Sequence, residues 1–191
     1  GDKLAKDIRL LDIQAFNNRR QGISLIFGRN IEIIRPQLRH TNGTPPAAGI
    51  DIEPNRISDV LENVRIVEPY TEENQGSGIS VNLWRLDGLK TPVDIVITNH
   101  QDKGSERGAM ISGAEIVPGK LVFDRPRWHG AKKNGIAVLV HDYRSFRIEL
   151  NNPGIVAANR EGRKNVTIGA EIAVYDFKRD FISWQGTGGS V

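Results

Sequence analysis

Two carboxylates, Asp51 and Glu53, stand two residues apart in the phrase Gly49-Ile50-Asp51-Ile52-Glu53-Pro54. Read as a strand, the alternation turns Ile50 and Ile52 to one face and both acids to the other. Their Cα atoms then lie roughly 6.6 Å apart. Paired carboxyls of inverting glycoside hydrolases sit roughly 6.5–9.5 Å apart, and those of retaining enzymes closer. The pair is thus spaced for acid–base work on a glycosidic bond. Any D-x-E on a strand gives the same distance, so a solvated polar face is the rival reading and cation binding a third.

Trp84 follows the next strand of the same kind, where an indole face offers a sugar large apolar area at little entropic cost. The competing expectation packs it under a loop. Ser80, Asn82, Asn55, Arg56 and His141 fall beside the acids in the same alignment and complete a candidate substrate-binding set. Trp128, within Arg125-Pro126-Arg127-Trp128-His129, is expected at a corner, either stacked on an arginine or exposed to a ligand. His40, His100, His129 and His141 show neither i, i+4 pairing nor metalloprotease spacing. No nucleophile elbow or phosphate-cradling loop occurs. No cofactor and no metal ligand set is specified; an oxygen-ligand Ca²⁺ site using Asp51, Glu53 or Asp94 is left open.

The elements that hold these residues repeat. Gly22-Ile23-Ser24-Leu25, Gly49-Ile50-Asp51-Ile52, Gly78-Ile79-Ser80-Val81, Gly108-Ala109-Met110-Ile111 and Gly135-Ile136-Ala137-Val138 recur at intervals of 27, 29, 30 and 27 residues. A second strand starts at Ile31, Val64, Val93, Leu121 and Ile148, rich in β-branched residues and bounded by turn residues. Hairpin partners would return within two to five residues, so the copies stack in parallel, coil upon coil. This predicts an all-β, right-handed parallel β-helix of about six coils, 27–30 residues each. Leucine-rich repeats are set aside for want of recurrent leucines and an asparagine ladder. Asn30 and Asn63 precede strands and suit left-handed corners, and the 33-residue step from Ile31 to Val64 predicts that Gln37–Ala48 bulges outward. Residues 2–14 read equally as a helix or as a strand from Ile8 to Ile13.

In register, the inward positions are Ile23 and Leu25, Ile50 and Ile52, Ile79 and Val81, Ala109 and Ile111, Ile136 and Val138. One outward column reads Ser24, Asp51, Ser80, Met110, Ala137, and the next Ile26, Glu53, Asn82, Ser112, Leu139. A third row reads Gly28, Asn55, Trp84, Ala114, His141. Only the Gly49 copy carries two carboxylates. Residues 1–185 form one expected domain, a piece of a longer protein, with register lost from residue 154 and residues 154–185 as last coil and cap. Val166-Thr167-Ile168 and Ala173-Val174-Tyr175 read as strands there, and residues 186–191 as a flexible tail.

Cysteine is absent, which excludes disulfide scaffolds and thiolate metal sites. The net charge is +3, with basic pairs scattered as Arg19-Arg20, Lys132-Lys133 and Arg163-Lys164 instead of clustered on one face, against a nucleic-acid partner. No apolar run approaches the ~20 residues of a membrane span.

The run Thr41-Asn42-Gly43-Thr44-Pro45-Pro46-Ala47-Ala48-Gly49-Ile50-Asp51-Ile52-Glu53-Pro54-Asn55, with Asn17-Asn18-Arg19-Arg20-Gln21-Gly22-Ile23-Ser24, resembles phrases of pectate-lyase-like right-handed parallel β-helix proteins. These include phage tailspike depolymerases and bacterial polysaccharide lyases and epimerases. The resemblance extends to about Leu150. It implies a carbohydrate-facing surface, a groove role for Asp51 and Glu53, and a secreted, cell-surface or virion setting; a tailspike would imply a homotrimer. The chain departs from the family in lacking a set of Ca²⁺-binding aspartates with a catalytic arginine on adjacent coils. The expected function is recognition of an acidic or cell-surface polysaccharide, with cleavage by hydrolysis or β-elimination. A non-catalytic carbohydrate-binding or adhesin module, or a structural spike segment, is the alternative.

Overall fold

The computed structural model describes residues 4–142, 144–158, 172–177 and 182–185. Strands β1–β19 alternate among three sheets, and every pairing is parallel. Sheet A stacks β1 (Lys6–Leu11), β4 (Gly28–Ile34), β7 (Leu61–Val67), β10 (Val93–Thr98), β13 (Gly119–Asp124), β16 (Phe146–Asn151) and β19 (Ile182–Gln185). Sheet B stacks the short strands β2 (Gln14–Phe16), β5 (Gln37–Arg39), β8 (Tyr70–Glu72), β11 (Gln101–Lys103), β14 (Arg127–His129) and β17 (Gly154–Val156). Sheet C stacks β3 (Gln21–Leu25), β6 (Ala48–Ile52), β9 (Ser77–Asn82), β12 (Arg107–Ala114), β15 (Asn134–His141) and β18 (Ile172–Phe177). One pass through A, B and C is a coil, and about six coils form a parallel β-solenoid. Its helical content among the described residues is a single 3-10 turn, Trp84–Leu86.

Stacking turns the repeat into ladders of like residues. In sheet A one inward column runs Ile8, Ile31, Val64, Ile95, Leu121, Ile148 and the next Leu10, Ile33, Ile66, Ile97, Phe123, Leu150. Ile95, not Val93, stands opposite Val64, because β10 begins two residues earlier than its neighbours' apolar phase; a shift of two keeps the same faces inward. All ten inward positions expected in sheet C face the core. Those from Leu25 on are buried; Ile23, in the first coil, is partly exposed.

Two kinds of corner make the coil close. Between sheets A and B one left-handed residue recurs: Asp12, Arg35, Glu68, Asn99, Arg125 and Asn152 all have φ near +50°. Between sheets B and C the glycine column lies hard against its neighbours. A Cβ on Gly49 would come 2.7 Å from the carbonyl oxygen of Gly78, and one on Gly78 would come 2.4 Å from Thr71 Oγ1. The opening glycines are therefore a packing requirement of the corner.

Several expectations change. The segment over residues 2–14 is a strand in its described part, β1. Only residues 40–47 form the bulge, since Gln37–Arg39 pairs as β5 in sheet B. Asn30 and Asn63 are left-handed as expected, at φ +55° and +53°, but lie within β4 and β7. With Asp7 they form a short ladder, Asn30 Nδ2 donating to Asp7 Oδ1 at 2.8 Å and Asn63 Nδ2 to Asn30 Oδ1 at 2.9 Å. Register does not end at residue 154: β17 pairs with β14, β18 with β15 and β19 with β16. Val166–Ile168 and residues 186–191 lie outside the described residues.

Candidate functional site

The outer face of sheet C carries the acids. Asp51 pairs in register with Ser24 on one side and Ser80 on the other. The column faces outward, yet the middle of it is covered: Asp51 and Ser80 are each only 2% exposed. The expectation that both acids stand on an exposed face holds for Glu53 alone, which is partly exposed.

The two carboxyls have unlike surroundings. Glu53 Oε2 accepts from Arg20 Nη2 at 3.2 Å, and its Oε1 accepts from Asn82 Nδ2 at 3.4 Å. Arg20 immediately precedes β3 and Glu53 immediately follows β6, so their ion pair spans the stretch of sheet C on which Asp51 sits. Asp51 Oδ2 is buried without a hydrogen-bond partner. Burial, reinforced by the Glu53 charge and only partly offset by Arg20, pushes the Asp51 carboxyl up to about 6. A carboxyl inclined by burial to hold its proton is the kind of group that serves as a general acid.

Glu53 opens into a hollow of about 310 Å³ lined by Pro54, Asn82, Trp84 and Arg85. Trp84 is 45% exposed, so it is not packed under a loop. The 3-10 turn that carries it is pinned by the buried Leu86, and its backbone N–H donates to Asn82 Oδ1 at 3.4 Å. The indole lies over Gly113, where a Cβ would fall 2.5 Å from Trp84 Cγ. The ring root thus packs against a bare backbone, while nearly half of the residue is left to solvent.

The remaining candidates separate. Asn55 and Arg56 lie on the exposed loop after β6, where their backbone N–H groups donate to Asp59 Oδ2 at 2.8 and 2.9 Å. They do not line the hollow. The third outward row does not exist as drawn. Gly28 opens β4 in sheet A, while Ala114 and His141 are buried neighbours at the end of sheet C. His141 Nε2 lies 2.6 Å from the carbonyl oxygen of Phe146, and burial lowers its pKa. Corner geometry breaks the alternation on which that row rested. Asp94 is on sheet A, paired with Arg65 at 2.7 Å and Lys120 at 3.7 Å, so it does not join Asp51 and Glu53. Among the described residues no group of three or more His, Cys, Asp or Glu is arranged to hold a metal ion.

Trp128 contradicts both expectations for it. Its segment is strand β14, not a corner, and alternation sends Arg127 and His129 outward and Trp128 inward, to 1% exposure. There its Nε1–H donates to His100 Nδ1 at 3.0 Å. The neutral imidazole therefore carries its proton on Nε2 and donates to Thr71 Oγ1 at 2.8 Å, and Thr71 donates to Asp102 Oδ1 at 2.7 Å. All four residues are buried, and Asp102 and Trp128 also border a hollow of about 250 Å³ on the sheet B side.

Arg20, Arg85 and Gly113 are the site residues that sequence reasoning passed over. Arg20 had a signal: it stands two residues before the Gly22 copy of the repeat, whose Ser24 stacks on Asp51. No family model matches the chain, and neither the curated proteins nor the solved structures compared with it include a match. What the fold and this face define is a three-sheet parallel β-solenoid bearing an acid pair and an aromatic platform on one sheet.

Proposed function

We propose that the chain recognises polysaccharide in the sheet C hollow and cleaves it there, with Asp51 as general acid and Glu53 as general base. The observation that carries this reading is the contrast between Asp51, buried and inclined to hold a proton, and Glu53, an Arg20-paired carboxylate, beside the half-exposed Trp84. A sugar stacked on the indole meets Asn82 and Arg85 as hydrogen-bonding partners. Asp51 would give its proton to the leaving oxygen while Glu53 takes one from the attacking water, on the roughly 6.6 Å Cα spacing of the strand. The Arg20–Glu53 pair must part for substrate to reach Asp51. Such an acid works only while protonated, so turnover falls as pH rises through about 6.

One observation favours pure binding: at 2% exposure Asp51 is closed off, whereas Trp84, Asn82 and Glu53 are open to a ligand without any movement. The test is incubation with acidic and neutral polysaccharides, reading reducing ends and the ultraviolet absorbance of unsaturated uronates. Reducing ends alone, lost in Asp51→Asn and Glu53→Gln with an unchanged melting curve, support hydrolysis by this pair. Full activity in both variants removes them as catalysts, unsaturated products point to elimination, and binding without products leaves the module reading.

A further inference from the structure

A second surface lies on another side of the solenoid, along the outer face of sheet B. Its strands are three residues long, so each contributes two outward side chains, and one outward column runs Gln37, Tyr70, Gln101, Arg127, Gly154. A hollow of about 390 Å³ flanks this column and is edged by Arg35, Arg125 and Arg127, with Glu68 the acid that lines it. A second hollow of about 250 Å³ continues from it and shares Tyr70, Gln101 and Arg127. Together they form a trough from β5 to β17. At ~4.8 Å per strand the four steps make it roughly 19 Å long, and it runs along the solenoid axis.

The arginines at its edge are not equivalent. Arg35 is held bidentately by Asp12, and Arg125 pairs with Asp124 at 2.9 Å, so each has a neutralising partner. Arg127 has none among the described residues. Its Nη1 donates to the carbonyl oxygens of Pro126 and Asn152, at 2.9 and 2.7 Å. Those bonds fix the guanidinium without cancelling its charge and leave Nε and Nη2 for a ligand. Gly154 makes room for it: a Cβ there would sit 2.8 Å from Arg127 Cδ. A fixed, uncompensated guanidinium in a trough is a ready partner for a carboxylate or sulfate.

We infer that the sheet B trough binds a linear acidic polysaccharide, with Arg127 taking an anionic group of the chain. The floor argues for sugar. Tyr70, Gln37 and Gln101 offer an aromatic ring and amide groups to hydroxyls, and Glu68 disfavours a polyanion as densely charged as duplex DNA, with one charge per ~1.7 Å. The trough and the sheet C hollow share no lining residue, so either can fail alone.

The test is affinity electrophoresis of the whole protein through gels containing polygalacturonate, a sulfated glycan or neutral dextran, with duplex DNA in a parallel mobility assay. The acidic polymers should retard the protein. Arg127→Ala should weaken retardation about tenfold at unchanged melting temperature, and Arg127→Lys should restore part of it. Gln101→Ala with Arg125→Gln provides a second reading should Arg127→Ala fail to fold. Measured in the Trp84→Ala background, which removes the sheet C platform, the loss caused by Arg127→Ala should persist. No retardation by any acidic polymer, equal retardation by dextran, tighter binding of DNA, or dependence on Trp84 in place of Arg127 would each overturn the inference.

Discussion

At the scale of single residues the decisive pattern is which polar groups are paired and which are not. Trp84 owes its attitude to Gly113, whose φ of +70° and missing Cβ let the indole lie on the backbone. Gly113→Ala is expected to displace the ring and weaken sugar binding roughly tenfold, an effect read by calorimetric titration of an oligosaccharide ligand. The interior chain Trp128–His100–Thr71–Asp102 yields a pH prediction. Burial lowers His100 to about 3, so its contribution is complete above about 6.5 and is lost as pH falls toward 3. Burial raises Asp102 to about 7, so its contribution is complete below about 3.8 and is lost as pH rises through 7. Between about pH 4 and 6.5 the two slopes oppose one another. Asp102→Asn removes one of them, and its stability should then fall with acidification by up to about 1.4 kcal/mol per pH unit. Chemical denaturation at a series of pH values checks this; a slope equal to that of the unmodified protein refutes it.

At the scale of elements the coil is set by its corners, and the corners depend on what is missing from them. Gly78→Ala would drive a methyl group into Thr71 Oγ1, Asp102 Oδ1 and the Gly108 carbonyl oxygen at once. Overpacking of this kind costs about 1–3 kcal/mol, measurable by denaturant unfolding, whereas a like change at Gly88, with nothing within 4 Å, meets only the strain of its φ of +80°. The glycine periodicity was legible in the sequence because one cause, the crowded B-to-C corner, acts on Gly22, Gly49, Gly78 and Gly108 alike. Sheet B was not, since three-residue strands give only one inward side chain and no period to detect. A trace of it was present. Pro36, Pro69, Pro126 and Pro153 each follow the left-handed A-to-B corner residue, and in the fourth coil His100 takes that place. The substitution of a histidine for a recurrent proline marks the interior network. The acid pair was legible from strand alternation, but the burial of Asp51 was not, because it depends on the stacking of adjacent coils, from one of which Arg20 reaches across to Glu53.

At the scale of the whole molecule each coil is stabilised by the two it touches, so stability varies along the axis. The central coils place Ile66, Ile97 and Phe123 in one column at 0% exposure and add the His100 network on the sheet B side. Among the described residues the first coil pairs only with the second: Ile8, Leu11 and Phe16 are 37%, 48% and 43% exposed, and β1 is exposed along most of its length. Arg39 stacking over Phe16 at 5.0 Å and the Arg35–Asp12 pair tie this coil to the second, but the ion pair is exposed to solvent screening and the stacked ring is itself 43% exposed, so neither contact holds the coil firmly. Amide hydrogen exchange should therefore grade along the axis. β7, β10 and β13 are expected to exchange only by global opening, and β1 and β2 by local fraying several orders of magnitude faster. The sheet C hollow sits between these regimes, on β6 and β9, and its Arg20 comes from the frayed side. Opening of the first coil would remove Arg20 from Glu53 without unfolding the hollow itself. Exchange at β3 should then rise together with accessibility of Asp51 to a carboxyl-directed reagent. Uniform protection from β1 to β13 would show instead that the solenoid opens as one unit and that the Arg20–Glu53 pair cannot part independently of the core.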